Sequence, residues 1–451
     1  MVNAWKFSAV VAAVAFLMTT AGASAARCCP FCSAPSLTLA EQMAQADAAV
    51  LVQWVGGKKA TDKSAGETVY EIRQIVRNHK GELKVEDRIT LPRYRESKVG
   101  DLFLLVGSKG VTIEWASPLE VTETSFNYVA QAPSPETPTV KRLEYYVKFL
   151  EYPDQMISND AYGEFANAPY DDITQLAEKL PREKIRGWII NKDTPATRMG
   201  LYGLLIGLCG NDEDAKILKA KILEKTEDFR LGIDGLMSGY LLLTGEKGMA
   251  VLDEHKLQNR NVPFSETYAA MQALRFMWKY AEGRIEPGRL RASMRILLDR
   301  PELADLVIAD LARWKDWEVQ DRLMALYIQA LASAPDEEAP AEEAGEKVAS
   351  KDKPDETGKP SRRDIFGEMW KQVVGDQKLD TASGDPFNVP SIKRAIVRYM
   401  LVSTKDVPDE ATSGEKSVMP EHAKKGQKYV DMLRKLDEKT VAQAERFFIL
   451  D

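Results

Sequence analysis

Three of the four cysteines are crowded into Arg27-Cys28-Cys29-Pro30-Phe31-Cys32, and the fourth, Cys209, stands 177 positions beyond Cys32. Three chemistries are open to this cluster. Cys29-Pro30-Phe31-Cys32 has the two-residue spacer of thiol–disulfide motifs. A redox cysteine, however, needs its thiolate stabilised by a helix N-terminus or a cation. Arg27 is adjacent, but no strand precedes the motif and Pro35 follows it. A tetrahedral zinc site takes four ligands. Cys28, Cys29 and Cys32 supply three, and no histidine is nearer than His79. The plainest outcome is a structural disulfide with one leftover thiol, free to pair between chains. Adjacent Cys28 and Cys29 would bridge only through a strained ring. Cys29–Cys32 and Cys28–Cys32 are therefore the candidate bridges, with Cys29–Cys32 the working assignment. Cys209 falls on the stripe Met199, Tyr202, Ile206, Cys209, and unpaired cysteine is among the most buried residue types, so it is expected in a core.

Elsewhere the chain carries little that points to catalysis. Gly-x-Ser-x-Gly, His-Glu-x-x-His and Walker sequences are absent, as is any motif that would hold a cofactor, so no cofactor is expected and the reading leans away from an enzyme. Asp171-Asp172 and Asp212-Glu213-Asp214 sit where helices should start and complement the helix dipole there. Gly200-Leu-Tyr-Gly-Leu-Leu-Ile-Gly has the apolar periodicity of a packed helix, in which small residues let a neighbouring helix approach. Trp278, Trp314, Trp317 and Trp370 fall in helical segments and read as core. An exposed pair such as Trp314 and Trp317 would instead anchor a partner, since tryptophan is enriched at binding hot spots. With 61 Lys+Arg against 68 Asp+Glu and a formal charge of −7, the chain lacks the basic surface that nucleic-acid binding requires.

The elements that would position these residues divide the 451 residues into two or three domains. Residues 1–26 read as a signal peptide. Lys6 is followed by the apolar run Ser8 to Met18 and by the small-x-small site Ala23-Ser24-Ala25. The run has 11 residues, short of the about 20 needed to span a bilayer, and no later stretch is long and apolar enough to do so. The protein is therefore expected to be exported, periplasmic or extracellular, where disulfides persist.

Thr38-x-x-Glu41 has the form of a capping box opening a short helix. Five β-rich runs follow: Ala49 to Val55, Val69 to Val76, the run holding Val85, Ile89 and Leu91, Leu102 to Val106, and Val111 to Trp115. Short strands between turn signals predict a small barrel or sandwich over 27–130. Pro133, Pro135 and Pro138 mark 131–139 as a linker. From 140 to 333 the pattern is helical. Ala196 to Cys209, Leu231 to Leu243 and Glu266 to Tyr280 start 35 residues apart, the signature of an α-solenoid. Residues 334–363 carry charge and proline but few apolar side chains, too few to offset the entropy of ordering, so a disordered loop is expected. Helices resume over 364–451.

Ala46-Asp47-Ala48-Ala49-Val50-Leu51-Val52, Tyr70-Glu71-Ile72, Lys80-Gly81 and Gly100-Asp101-Leu102-Phe103-Leu104-Leu105-Val106 resemble, in order, the netrin/TIMP-like barrel of secreted proteins. In that family a cysteine-bearing segment leads into an OB-type barrel. The chain departs from the family in having no cysteine between Ser33 and Leu208. The family's metalloprotease inhibition uses an N-terminal cysteine amine, and here a residue would precede Cys28. Thr194-Pro195-Ala196-Thr197-Arg198 and Asn388-Val389-Pro390-Ser391-Ile392-Lys393-Arg394 resemble the proline-then-arginine starts of HEAT-type helices, over about 190–402. The two together resemble exported proteins of planctomycete-type bacteria. The expected protein is multidomain, with a small OB-like β-barrel followed by an all-α HEAT-like solenoid. Its expected function is non-enzymatic binding of a protein partner or scaffolding. A thiol-redox or metal-handling protein acting through Cys28, Cys29 and Cys32, or an inhibitor-like module, are the alternatives.

Overall fold

The computed structural model describes residues 29–32, 37–62, 65–78, 81–110, 112–226, 228–332, 362–376, 386–387, 389–407 and 419–446. Residues 1–26, read above as a signal peptide, Cys28 and all but the last two residues of 334–363 lie outside them. Contacts divide the chain into two compact units, Met1–Thr244 and Gly245–Asp451.

The first unit opens with helix α1 (Leu39–Gln45), whose capping box is complete: the Glu41 amide donates to the Thr38 hydroxyl, and the Thr38 amide to the Glu41 carboxylate. Six antiparallel strands follow: β1 (Ala48–Lys58), β2 (Glu67–Arg77), β3 (Arg88–Leu91), β4 (Leu102–Lys109), β5 (Ile113–Trp115) and β6 (Leu119–Val121). The order across the sheet is β3-β2-β1-β4-β5, and β6 pairs with the other end of the same edge of β4. Strand β6, three residues long, goes beyond the five runs legible in the sequence. Among the described residues no ladder joins β3 to β5 or β6.

Strand β1 is central, and Ala48 to Val52 are fully buried, as a strand covered on both faces requires. On one face Val50, Val52, Tyr70, Ile72, Ile89, Phe103 and Leu105 form the sheet's core, with the Tyr70 ring edge-on to Phe103 at 5.3 Å. The alternate residues Ala49, Leu51 and Leu104 are also buried, and helix α2 (Glu123–Gln131) packs on β4 and β6.

Helices α3 (Thr139–Tyr146), α4 (Gln155–Asn167), α5 (Tyr170–Thr174), α6 (Arg182–Ile190), α7 (Met199–Cys209), α8 (Asp212–Leu223) and α9 (Ile233–Thr244) complete this unit. The proline-rich stretch 131–139 therefore lies inside it. Helix α1 is tied to α4: the Leu39 amide donates to Asp160 Oδ1 at 2.6 Å, and the Asn167 amide group to Glu41 at 3.0 Å. Helix α4 was not singled out within the helical 140–333 because its packed side is mixed. It buries Ser158, Asp160 and Glu164 beside Ile157, Ala161 and Phe165, which blurs the apolar period.

Helices α7 and α9 meet backbone to backbone. A Cβ built on Gly203 would lie 2.5 Å from the Gly235 carbonyl, and one on Gly207 would lie 2.6 Å from the Gly239 Cα. The glycines of α7 serve the close helix approach that their spacing suggested.

The second unit comprises α10 (Glu246–Leu252), α11 (Phe264–Tyr280), α12 (Pro287–Ile296), α13 (Pro301–Arg313), α14 (Gln320–Ala332), α15 (Arg362–Val374), α16 (Pro390–Lys405), α17 (Glu421–Leu436) and α18 (Glu438–Arg446). Proline stands at the start of α12, α13 and α16, where its missing N–H is no loss. Helix α16 packs against α13, α17 and α18. Among the described residues no helix is long and apolar enough to cross a membrane.

Candidate functional site

In the first unit, Cys29 and Cys32 are joined by a disulfide with their Cα atoms 5.4 Å apart. The small ring is seated on helices. The Cys29 amide donates to the Ala166 carbonyl at 3.3 Å, and a Cβ on Gly200 would lie 2.7 Å from the Phe31 carbonyl oxygen. Cys29 is buried and Cys32 half-buried. Among the described residues no group of three His, Cys, Asp or Glu side chains is arranged to hold a metal ion. Cys209 is a free thiol at the end of α7 and is half-buried rather than deep in the core, because the chain turns outward at Gly210. Burial, with help from Asp214 and against Arg182, pushes its thiol up to about 11. The thiolate needed for nucleophilic chemistry is thus disfavoured.

Next to this ring lies a buried polar cluster that sequence reasoning missed. Tyr128 donates to Asp160 Oδ2 at 2.7 Å, and Tyr145 to the Tyr128 carbonyl at 2.8 Å. Glu164 Oε2 is held by Arg142 Nη2 at 2.9 Å. Glu164 Oε1, Arg142 Nε and the Tyr146 hydroxyl are buried without a hydrogen-bond partner. Burial raises the Glu164 pKa, against the nearby Thr38 hydroxyl and Arg142. Burial likewise lifts Asp160 from 3.8 to about 6, opposed by the Leu39 amide and the Tyr128 hydroxyl and reinforced by Glu164 and Glu41.

The linkage for Asp160 has a definite sign. Its folded-state pKa lies above its unfolded value, so its contribution to stability is fully present below pH 3.8 and is lost as pH rises through about 6. Relative to Asp160→Asn, the wild type should lose about 3 kcal/mol between about pH 4 and pH 6, at about 1.36 kcal/mol for each pH unit between the two values. Urea denaturation of both proteins across this range reads the difference. Stability curves that run parallel would show that Asp160 ionises normally.

In the second unit the candidate tryptophan pair divides. Trp314 is 4% exposed and stacks on Trp278 with ring centroids 4.4 Å apart, while Arg291 lies 5.4 Å over the Trp278 ring. It is a core residue and offers no surface for a partner. Trp317, three positions on, is half-buried. Its indole N–H donates to Asp406 Oδ2 at 2.7 Å. Its ring stacks on His422 at 5.6 Å and meets Tyr399 edge-on at 5.3 Å. The same Asp406 takes the Lys315 ammonium at 2.6 Å. Lys315 has φ of +50°, a left-handed conformation in which glycine is the usual residue.

Trp317 and His422 form part of the wall of an open cleft of about 720 Å³, which Arg291, Lys315, Lys424, Lys425 and Lys428 surround with positive charge and Asp316, Glu318 and Glu421 with negative. The signal for α17 was its spacing, Lys424-Lys425-x-x-Lys428, in which Lys424 and Lys428 share a helix face. Its place beside Trp317 was not legible, because about a hundred residues separate the two.

A comparison of the chain with protein-family models, with curated proteins and with solved structures found no match.

Proposed function

We propose that the protein is an exported, non-enzymatic binding protein or scaffold. In this reading the sheet belongs to an OB-like barrel of netrin/TIMP type, and the helices form a HEAT-like solenoid whose surface receives a protein partner. The observation that carries the reading is the Trp317 cleft. A large aromatic ring is fixed by Asp406, His422 and Tyr399 and stays partly open to solvent among lysine side chains. A pre-organised aromatic residue with a polar rim is how protein interfaces concentrate binding energy. The Cys29–Cys32 ring suits a staple better than a redox centre, since Cys29 is buried and its amide is committed to Ala166. Export itself rests on the sequence of 1–26.

Proximity labelling with the full-length protein in its own host tests the reading. A restricted set of exported proteins should be labelled at least several-fold above the level reached with an unrelated exported protein of equal abundance. Identical labelling by the two would end it.

A further inference from the structure

We infer that the cleft between α12, α14 and α17 is a docking site for a carboxylate-rich peptide segment of the partner. The inference rests on the binding-protein reading and specifies what is bound. Five cationic and three anionic side chains line the cleft, on a chain whose formal charge is −7. Most of these charges are already matched locally: Lys315 by Asp406, Lys424 by Glu421 and Lys425 by Asp321, and buried Asp316 by Arg295.

Two are not. Arg291 spends Nε and Nη2 on the neutral carbonyl oxygen of Trp314. Lys428 is exposed, and among the described residues no carboxylate is within ion-pairing distance of either. Two cations without a carboxylate in ion-pairing distance, the exposed Lys428 and the half-buried Arg291 on another helix, with the Trp317–His422 stack on the same cleft wall, call for a ligand that presents several carboxylates along a chain together with some apolar surface. A single small anion would satisfy one cation at a time. A nucleic acid would meet the repulsion of the remaining acidic surface.

Fluorescence anisotropy of the full-length protein with a labelled oligoglutamate peptide flanked by leucines tests this, with an oligolysine peptide of equal length as the counterpart. The glutamate peptide should bind and the lysine peptide should not, and binding should weaken as salt screens the exposed charges. Lys428→Glu should weaken binding about fivefold, since one exposed ion pair of up to about 1 kcal/mol is lost. Lys428→Gln, at the same exposed position without an ion pair, guards against an effect of the introduced charge on folding and should give a smaller loss in the same direction.

No binding of the glutamate peptide, unchanged binding in both variants, or displacement by inorganic phosphate or duplex DNA more readily than by unlabelled peptide would overturn the inference. If proximity labelling still found a restricted partner set in that event, the binding-protein reading would stand and the partner would dock elsewhere.

Discussion

Gly239→Ala should destabilise the first unit by about 3 kcal/mol, the upper part of the range for overpacking a close contact. Alanine is the better helix former by up to about 1 kcal/mol, so a mid-helix substitution of this kind ordinarily helps. Here the added methyl would overlap the Gly203 carbonyl oxygen on the facing helix and come within van der Waals range of the rest of that peptide. The obstacle is backbone on both sides, which cannot rotate away as a side chain can. Helices α7 and α9 must therefore separate, and Leu201, Leu204, Leu205, Leu236 and Leu241, all buried, lose contact with their surroundings.

Gly187→Ala is the control. It lies in helix α6, and nothing is within 4 Å of its built Cβ, so it should stabilise by about 0.5–1 kcal/mol. Urea denaturation followed by circular dichroism compares the two. Equal gains from both substitutions would mean that the helices do not meet on their glycines.

Arg198→Ala should cost the same unit about 3 kcal/mol or more, in the range found when one partner of a buried charged network is removed. The side chain is 7% exposed. Nη1 donates to the Leu150 carbonyl at 2.6 Å and to Glu151 Oε1 at 2.8 Å. Nη2 donates to Ser158 Oγ at 3.0 Å and to Asn159 Oδ1 at 2.7 Å. Truncation leaves the Leu150 carbonyl and the Glu151 carboxylate with only the Tyr202 hydroxyl between them and opens a void between α4 and α7. Arg198→Lys should recover only part of the loss, because an ammonium cannot fork to acceptors on two sides as a guanidinium does. The midpoint should fall with the denaturant slope unchanged. A variant within 0.5 kcal/mol of wild type would show that these four bonds merely replace equivalent bonds to water.

The Thr38 and Glu41 capping box, the proline starts of α13 and α16, and the apolar runs of β1, β2 and β4 were all legible without a structure. Each depends on residues within three or four positions of one another, so propensity and local hydrogen bonding decide it. The glycines of α7 announced a close helix contact for a related reason: a face without side chains has no other use inside a packed helix. Arg198 was visible as the arginine three positions after a helix-starting proline, but its four acceptors, at positions 150 to 159, were not.

What only the tertiary structure decided is pairing across long stretches of chain. The place of β1 between β2 and β4, the short β6, and the bond from Leu39 to Asp160, 121 positions away, belong to this class. So does the division into compact units at Thr244. Trp314 and Trp317 make the distinction plain. They are three residues apart and equally apolar, yet one is closed off by Trp278 and the other lies against His422 at the rim of a cleft. Neither propensity nor periodicity separates them. The separation comes from which distant helix arrives on each side, and that is settled by the burial and hydrogen bonding of the whole unit at once.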